Sequence, residues 1–265
     1  MNRLDELENQ SLYIIREAFH NYRNLVMLWS IGKDSTTLLW LVRKAFFGKI
    51  PFPVLHIDTS FKFQEIYNFR DRYVKEWGLN LLITRNEEAL KTEVDFDSKL
   101  QCCMELKTNA LKQAIRQHDF DGLLLGIRRD EHGVRAKERL FSPRDQNFRW
   151  QYDNQPAELW DQYKSEAESN THMRIHPILN WTELDIWKYI RQENIPFVNL
   201  YLAKHGKRYR SIGCETCCTA IDSDADSVAK IIEELETTDI AERAGRAQDK
   251  EDDHTMQKLR ALGYM

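Results

Sequence analysis

The 265-residue chain lacks any apolar run close to the roughly 20 residues that a bilayer crossing needs, which excludes a membrane-spanning helix. Its opening stretch, MNRLDELENQ, is polar and acidic and reads as no secretory signal. Internal repeats and low-complexity tracts are absent as well. Cysteine is scarce: five residues, too few and in too long a chain for the disulfide framework of a small secreted domain. What remains is the composition of a soluble globular protein, 42% hydrophobic and 30% charged, with a net charge of −4. The expectation is a cytoplasmic α/β protein, as one large domain or a domain of about 200 residues with a tail.

The small net charge hides an asymmetry. Residues 126–151 hold seven basic side chains against four acidic ones, and Lys204, Lys207, Arg208 and Arg210 form a second basic group. From Asp222 to Asp253 acids dominate. Anionic ligands are therefore expected near the two basic segments rather than on the tail. No nucleic-acid-reading motif accompanies them, so tight direct binding of DNA is not expected.

Apolar spacing predicts a helix over 4–23, and the buried strand LVMLW over 25–29 follows. A helix over 34–47, the strand VLHID, a helix over 63–77, the strand NLLIT at 80–84, a helix over 101–118 and the strand GLLLGI at 122–127 continue the pattern. Strands alternating with helices predict a doubly wound, mostly parallel sheet with helices on both faces. Residues 128–173 read as polar loop. NWTELDIWKYIRQENIP predicts a helix capped by Thr182 and stopped before Pro196. The cysteine loop and an acidic, mostly helical extension complete the chain.

The first strand ends in Ser30-Ile31-Gly32-Lys33-Asp34-Ser35. A loop between strand and helix at the carboxyl edge of a parallel sheet is where such folds bind ligands, and the helix N-terminus favours phosphate. Gly32 permits close approach of the backbone, Ser30 and Ser35 bring hydroxyls, and Lys33 a positive charge. The spacing is not that of a Walker A loop.

This loop resembles the pyrophosphate loop of N-type ATP pyrophosphatases, in the adenine nucleotide alpha hydrolase-like and PAPS reductase family. The usual form has glycine at the position of Ile31. PFPVLHIDTSFKFQEIYNFRDR, GIRRDEHGVRAKER, HPILNWTELDIWKYI and the terminal GYM are similar to the small subunit of bacterial ATP sulfurylase. The resemblance implies cleavage of ATP, as its Mg²⁺ complex, between the α and β phosphates. It also implies that Asp58 and Thr59 lie beside the nucleotide, and that Arg128, Arg129, Asp130, Glu131 and Arg135 face the acceptor or the phosphates. It divides the chain into an ATP pyrophosphatase domain, 1–200, and an extension, 201–265, packed on it.

Cys102 and Cys103 in QCCMELK, and Cys214, Cys217 and Cys218 in GCETCC, hold every thiol of the chain. Such clusters suit metal or redox chemistry in a reducing compartment. The two segments resemble the 4Fe–4S signature of adenylylsulfate reductases, which implies Cys102, Cys103, Cys214 and Cys217 as ligands and Cys218 as a spare or substitute. No cysteine follows Cys218, so the nucleophile of those reductases is missing and sulfate reduction is disfavoured. Compared with ATP sulfurylase small subunits, an insertion shrinks here to KHGKRYRSI. A working loop combined with a cluster resembles most the ATP pyrophosphatases of Ssp- and Dnd-type DNA phosphorothioation. The expectation is therefore adenylation of a nucleic-acid backbone for sulfur insertion. Its partners would be a cysteine desulfurase as sulfur donor and phosphorothioation proteins presenting DNA; the oligomeric state stays open, a homodimer among the options. The alternatives are an ATP sulfurylase subunit working with a GTPase subunit, a tRNA thiolase, an adenylylsulfate reductase-like enzyme, and a nucleotide-sensing adaptor.

Overall fold

A computed structural model describes residues 2–91, 98–150, 155, 157–158, 160, 162–165, 172–247, 258–259 and 261–263. Tyr264 and Met265 of the GYM motif, and residues 248–257 and 260 of the extension, lie outside the described residues.

Helix α1 (Arg3–Asn21) opens with an Asn2 capping box and leads into β1 (Leu25–Leu28), all of whose residues are buried. There follow α2 (Lys33–Ala45), β2 (Val54–Ile57), α3 (Gln64–Glu76), β3 (Leu81–Thr84) and the short α4 (Glu87–Lys91). α5 (Lys99–Cys103), a π-helical turn at Met104–Asn109 and α6 (Ala110–His118) then form one rod before β4 (Gly122–Leu124). β5 (Phe141–Arg144), β6 (His172–Ile175) and α7 (Glu183–Glu193) complete the main unit. The chain continues through the small ribbon of β7 (Lys207–Arg208) and β8 (Ile221–Asp222) to α8 (Val228–Thr237).

The main sheet has six strands in the order β3-β2-β1-β4-β6-β5, parallel except where β5 runs against β6. β1 pairs with β2 through Met27 and Val54, and with β4 through Leu25 and Gly122. From β1 the chain winds out to β2 and β3 on one side and later to β4 and β6 on the other. The carboxyl end of β1 is thus the switch point where such sheets form a ligand crevice. Near-continuous apolar strands signal burial on both faces, and β1, β2, β4 and β6 are buried throughout.

The doubly wound expectation holds. Three elements differ from their sequence reading. β5 and β6 lie in the stretch read as loop, because Arg144, His172 and Arg174 make these core strands look polar; all three are buried. The 101–118 helix is interrupted by the π-turn, a geometry frequent at functional sites. Thr182 does cap α7, accepting from the Asp185 N–H at 3.1 Å while the Asp185 carboxylate accepts from the Thr182 N–H at 2.9 Å.

Candidate active site

The Ser30–Ser35 loop turns sharply between β1 and α2. Ile31 adopts φ +65°, the left-handed region that a β-branched side chain rarely enters, at a cost of about 1–3 kcal/mol. Its side chain is anchored in the core, only 1% exposed, which holds the strained turn in place. Gly32 sits at the N-cap of α2 with no side-chain cap, while the Lys33 N–H donates to the Tyr201 hydroxyl at 2.9 Å. Ser30 and Ser35 hydroxyls meet at 3.0 Å. On the far side, a Cβ on Gly126 would fall 2.9 Å from the Ser35 Cα, so only glycine lets the β4 loop come this close to α2.

Between these loops lies a cleft of about 160 Å³. Ser30, Gly32, Lys33, Asp34 and Ser35 form one wall, Gly126, Glu131 and Arg135 another, and Tyr201 a third. Lys62, Lys107, Arg243 and Arg246 add a row of cations.

Lys33 is almost wholly buried. Its ammonium pairs with Glu242, with Asp34 at 3.2 Å and with Glu183 at 4.0 Å. Burial alone would weaken its charge, but these carboxylates outweigh that and raise its pKa. The Arg128 guanidinium, fully buried, pairs with Asp34, Glu242 and, at 3.0 Å, Asp130. Glu242 receives both cations; although burial opposes its charge, Arg128 and Lys33 bring its carboxyl down to about 2. Arg210 holds Glu183 at 2.7 Å.

The other expected residues are spread more widely. Arg135 lines the cleft and pairs with Glu131, which also holds Arg243 at 3.0 Å. Arg129 instead donates to Asn180 and, at 3.1 Å, to the Glu138 carbonyl, and does not line the cleft. Asp58, buried directly after β2, is engaged by Arg85 at 2.6 Å, Tyr67 at 2.9 Å and the Ser60 N–H at 2.8 Å, so its carboxylate braces the loop after β2. Thr59 turns its hydroxyl to the Cys214 sulfur at 3.2 Å.

The two cysteine groups converge at the cationic end of the cleft. Burial first, and then the nearby Cys103, Cys214 and Cys217, push the Cys102 thiol up to about 11. Burial also disfavours the Cys214 thiolate, but Lys107, Lys62, Thr59 and Arg246 overcome it and bring this thiol down to about 7. Lys107 Nζ lies 3.8 Å from the Cys103 sulfur, and the Cys218 sulfur accepts from the Gly213 N–H at 3.1 Å and from Arg246 at 3.0 Å. Among the described residues no group of three or more His, Cys, Asp or Glu side chains is arranged to hold a metal ion. Lys107, Thr59, Gly213 and Arg246 contact three of the thiols, those of Cys103, Cys214 and Cys218, and the described residues show no 4Fe–4S site.

Sequence reasoning missed Lys62, Lys107, Tyr201, Glu183, Glu242, Arg243 and Arg246. Lys107 carried a signal, standing four residues after Cys103 and hence on the same helical face. Glu242 and the two arginines of ERAGR were masked by the acidic composition of the tail.

A family model described as phosphoadenosine phosphosulfate reductase domain matches residues 24–220. The chain is 41% identical to sulfate adenylyltransferase subunit 2 of Phocaeicola vulgatus, with 100% of this chain and 98% of the relative covered. It is 42% identical to the protein of that name from Shewanella putrefaciens, with the same coverage. The first alignment runs over 297 residues, so the relative carries residues that this 265-residue chain lacks. Among solved structures, Candida glabrata FMN adenylyltransferase superposes with a TM-score of 0.60 at 18% identity, covering 92% of this chain and 87% of that one. The U34-tRNA thiolase of Methanococcus maripaludis, solved with its [4Fe-4S] cluster, gives 0.50 at 16% identity over 98% and 79%. At such identities the structural likeness speaks for the fold alone.

An adenylyl-transferring enzyme of sulfur metabolism is thereby borne out. Phosphorothioation is not. Relatives matching the whole chain carry the name of a sulfate adenylyltransferase subunit, which overturns nucleic-acid sulfuration and, with it, the cysteine desulfurase and DNA-presenting partners.

Proposed function

Because the chain belongs to the phosphoadenosine phosphosulfate reductase domain family and, within it, to the family of sulfate adenylyltransferase subunit 2, we propose that it is the ATP-cleaving subunit of a sulfate adenylyltransferase. It takes MgATP and sulfate to adenylylsulfate and pyrophosphate, in complex with the companion subunit that its relatives' name implies. The observation that carries this reading is the meeting, in one cleft, of the Ser30–Ser35 loop at the α2 N-terminus with a row of cations at the other end.

A sulfate oxygen attacks the α-phosphorus, the bond to the bridging oxygen of the β-phosphate breaks, and pyrophosphate leaves with that electron pair. Negative charge grows on the leaving group, where Lys33, Arg128 and the N–H groups of the α2 first turn stabilise it. Sulfate is a weak nucleophile, so positioning matters more than activation. Lys62, Lys107 and Arg246 suit a tetrahedral dianion, and the Arg246 Nε, buried without a hydrogen-bond partner among the described residues, is a donor awaiting an acceptor. Mg²⁺ enters with the nucleotide, held chiefly by phosphate and water. Residues 1–200 serve as the catalytic domain, and the extension brings Arg246 to the cleft. A 4Fe–4S cluster has no part in this reading.

The test is pyrophosphate release from ATP by the full chain together with its companion subunit. Release should depend on sulfate and yield adenylylsulfate in equal amount. Release indifferent to sulfate would overturn the assignment.

A further inference from the structure

The reading of the Ser30–Ser35 loop as a phosphate cradle meets an obstacle in the protein's own charges. Lys33, Arg128 and Arg210, three cations, are interlocked with four carboxylates, those of Asp34, Asp130, Glu183 and Glu242. A polyphosphate entering this closed and net negative cluster would be repelled, and the cations it needs are already taken. One carboxylate has to leave.

Two of the four are fixed by their elements and a third by a backbone hydrogen bond. Asp34 belongs to the first turn of α2, Glu183 to the first turn of α7, and Asp130 accepts from the Glu183 N–H at 2.8 Å. Glu242 differs: it stands on a run of turns after α8, held by side-chain and backbone contacts rather than by a helix or strand of its own. They include the Thr219 N–H to the Gly245 carbonyl at 2.9 Å, Arg210 to the Ile240 carbonyl at 2.5 Å, the Arg243–Glu131 pair, the bridge between Cys218 and Arg246, and Arg246 on the Cys218 sulfur at 3.0 Å. Its two carboxylate oxygens divide between Lys33 and Arg128 as two oxygens of a phosphate would.

We propose that Glu242 is an internal phosphate mimic. In the nucleotide-free protein it occupies the ground between Lys33 and Arg128, and the pyrophosphate portion of ATP binds by displacing its carboxylate, which shifts the segment Thr238–Ala247. This inference rests on the phosphate role assigned above to the Ser30–Ser35 loop, and not on sulfate as the acceptor. The device keeps a buried lysine and arginine paired while the site is empty, and it couples nucleotide entry to movement of the segment that carries Arg243 and Arg246. The two cleft-lining arginines would therefore respond to the phosphate end of the site.

Calorimetry with inorganic pyrophosphate tests it on the full chain. Glu242→Gln should bind pyrophosphate at least tenfold more tightly than wild type, because the competitor is weakened while its shape is kept. Unchanged or weaker binding would overturn the proposal and make Glu242 a group that merely positions Lys33 and Arg128. A second measurement needs no variant: pyrophosphate should speed tryptic cleavage after Arg243 in the wild-type chain, and protection there would overturn it too. If wild type did not bind pyrophosphate at all, the phosphate reading of the loop would fall as well. Sulfate-dependent turnover combined with unaltered pyrophosphate affinity in Glu242→Gln would sink the gate alone.

Discussion

The two ends of the cleft are both rich in cations, yet they are built differently. At the phosphate end Lys33 and Arg128 are buried and each bound to two or more carboxylates. At the other end the charges favouring the Lys62 cation come from Cys214 and Cys218, while burial, Lys107 and Arg246 work against it. Thiols are weaker counter-charges than carboxylates, being ionised only in part near neutral pH. One end is closed by its own acids and must be opened. The other is left in electrostatic tension that an arriving dianion relieves. A site that must admit two anions side by side gains from this division: the tetrahedral acceptor finds Lys62, whose counter-charges are thiols, while the polyphosphate supplies the energy to break the closed set.

The comparison breaks most sharply at Lys33. Lys33→Met removes one donor to the leaving pyrophosphate and should slow adenylylsulfate formation by about 100- to 1,000-fold at saturating ATP. Folding should persist, because Arg128 still neutralises Glu242. Single-turnover chemistry, with the circular dichroism spectrum as a check on the fold, measures this; a loss below tenfold would mean that Lys33 serves only to pair the acids around it.

How far this division could be read from the sequence depends on which residues carry it. The strand–loop–helix at 25–47 was legible because an apolar run, a glycine and an amphipathic stretch stand consecutively, and local patterning decides each. Arg128 was legible for the same reason, directly following a buried strand. Ile31 could not be read as strained, since a β-branched residue ordinarily rules out the left-handed region; only its core anchorage explains it. Glu242 lies 209 residues from Lys33, and no local pattern records a pairing across that separation. β6 was missed because its arginine and histidine side chains are buried among their own kind, against the usual equation of charge with surface. The cysteine reading found residues that do converge, but not the lysines, arginine and hydroxyl that stand among them. Spacing alone cannot tell thiols that share a metal from thiols that share lysines.

A smaller effect sharpens the contrast at the open end. Lys62→Met should raise the KM for sulfate about tenfold, the worth of one charge-assisted hydrogen bond, with pyrophosphate affinity unchanged. His56 offers a spectroscopic reporter of the same charge. Burial, then Lys62, lower its pKa to about 4, even though its bond to the Trp29 carbonyl at 2.9 Å pulls the other way. Losing Lys62 should move the His56 titration upward, as followed by NMR. The sign for stability follows: a histidine depressed in the fold contributes fully above the unfolded value near 6.5, and that contribution is lost as the pH falls through 4. The acid loss should therefore be shallower in Lys62→Met. An unmoved His56 resonance would place the Lys62 charge elsewhere than at this end.

The least of the expected effects concerns the frame that both ends share. Thr182 caps α7, whose first turn presents Glu183 to Arg210 at 2.7 Å and to Lys33 at 4.0 Å, and whose Asp185 also binds Arg3 at 2.9 Å. Thr182→Ala removes the hydroxyl that accepts from the Asp185 N–H and should cost about 1 kcal/mol in chemical denaturation. Glu183 is the acid nearest the cap, and it touches the closed end of the cleft only. A frayed first turn should thus weaken ATP affinity slightly and leave the KM for sulfate where it was. An equal shift in both constants would mean that α7 supports the cleft as one body, and that the two ends are not independent.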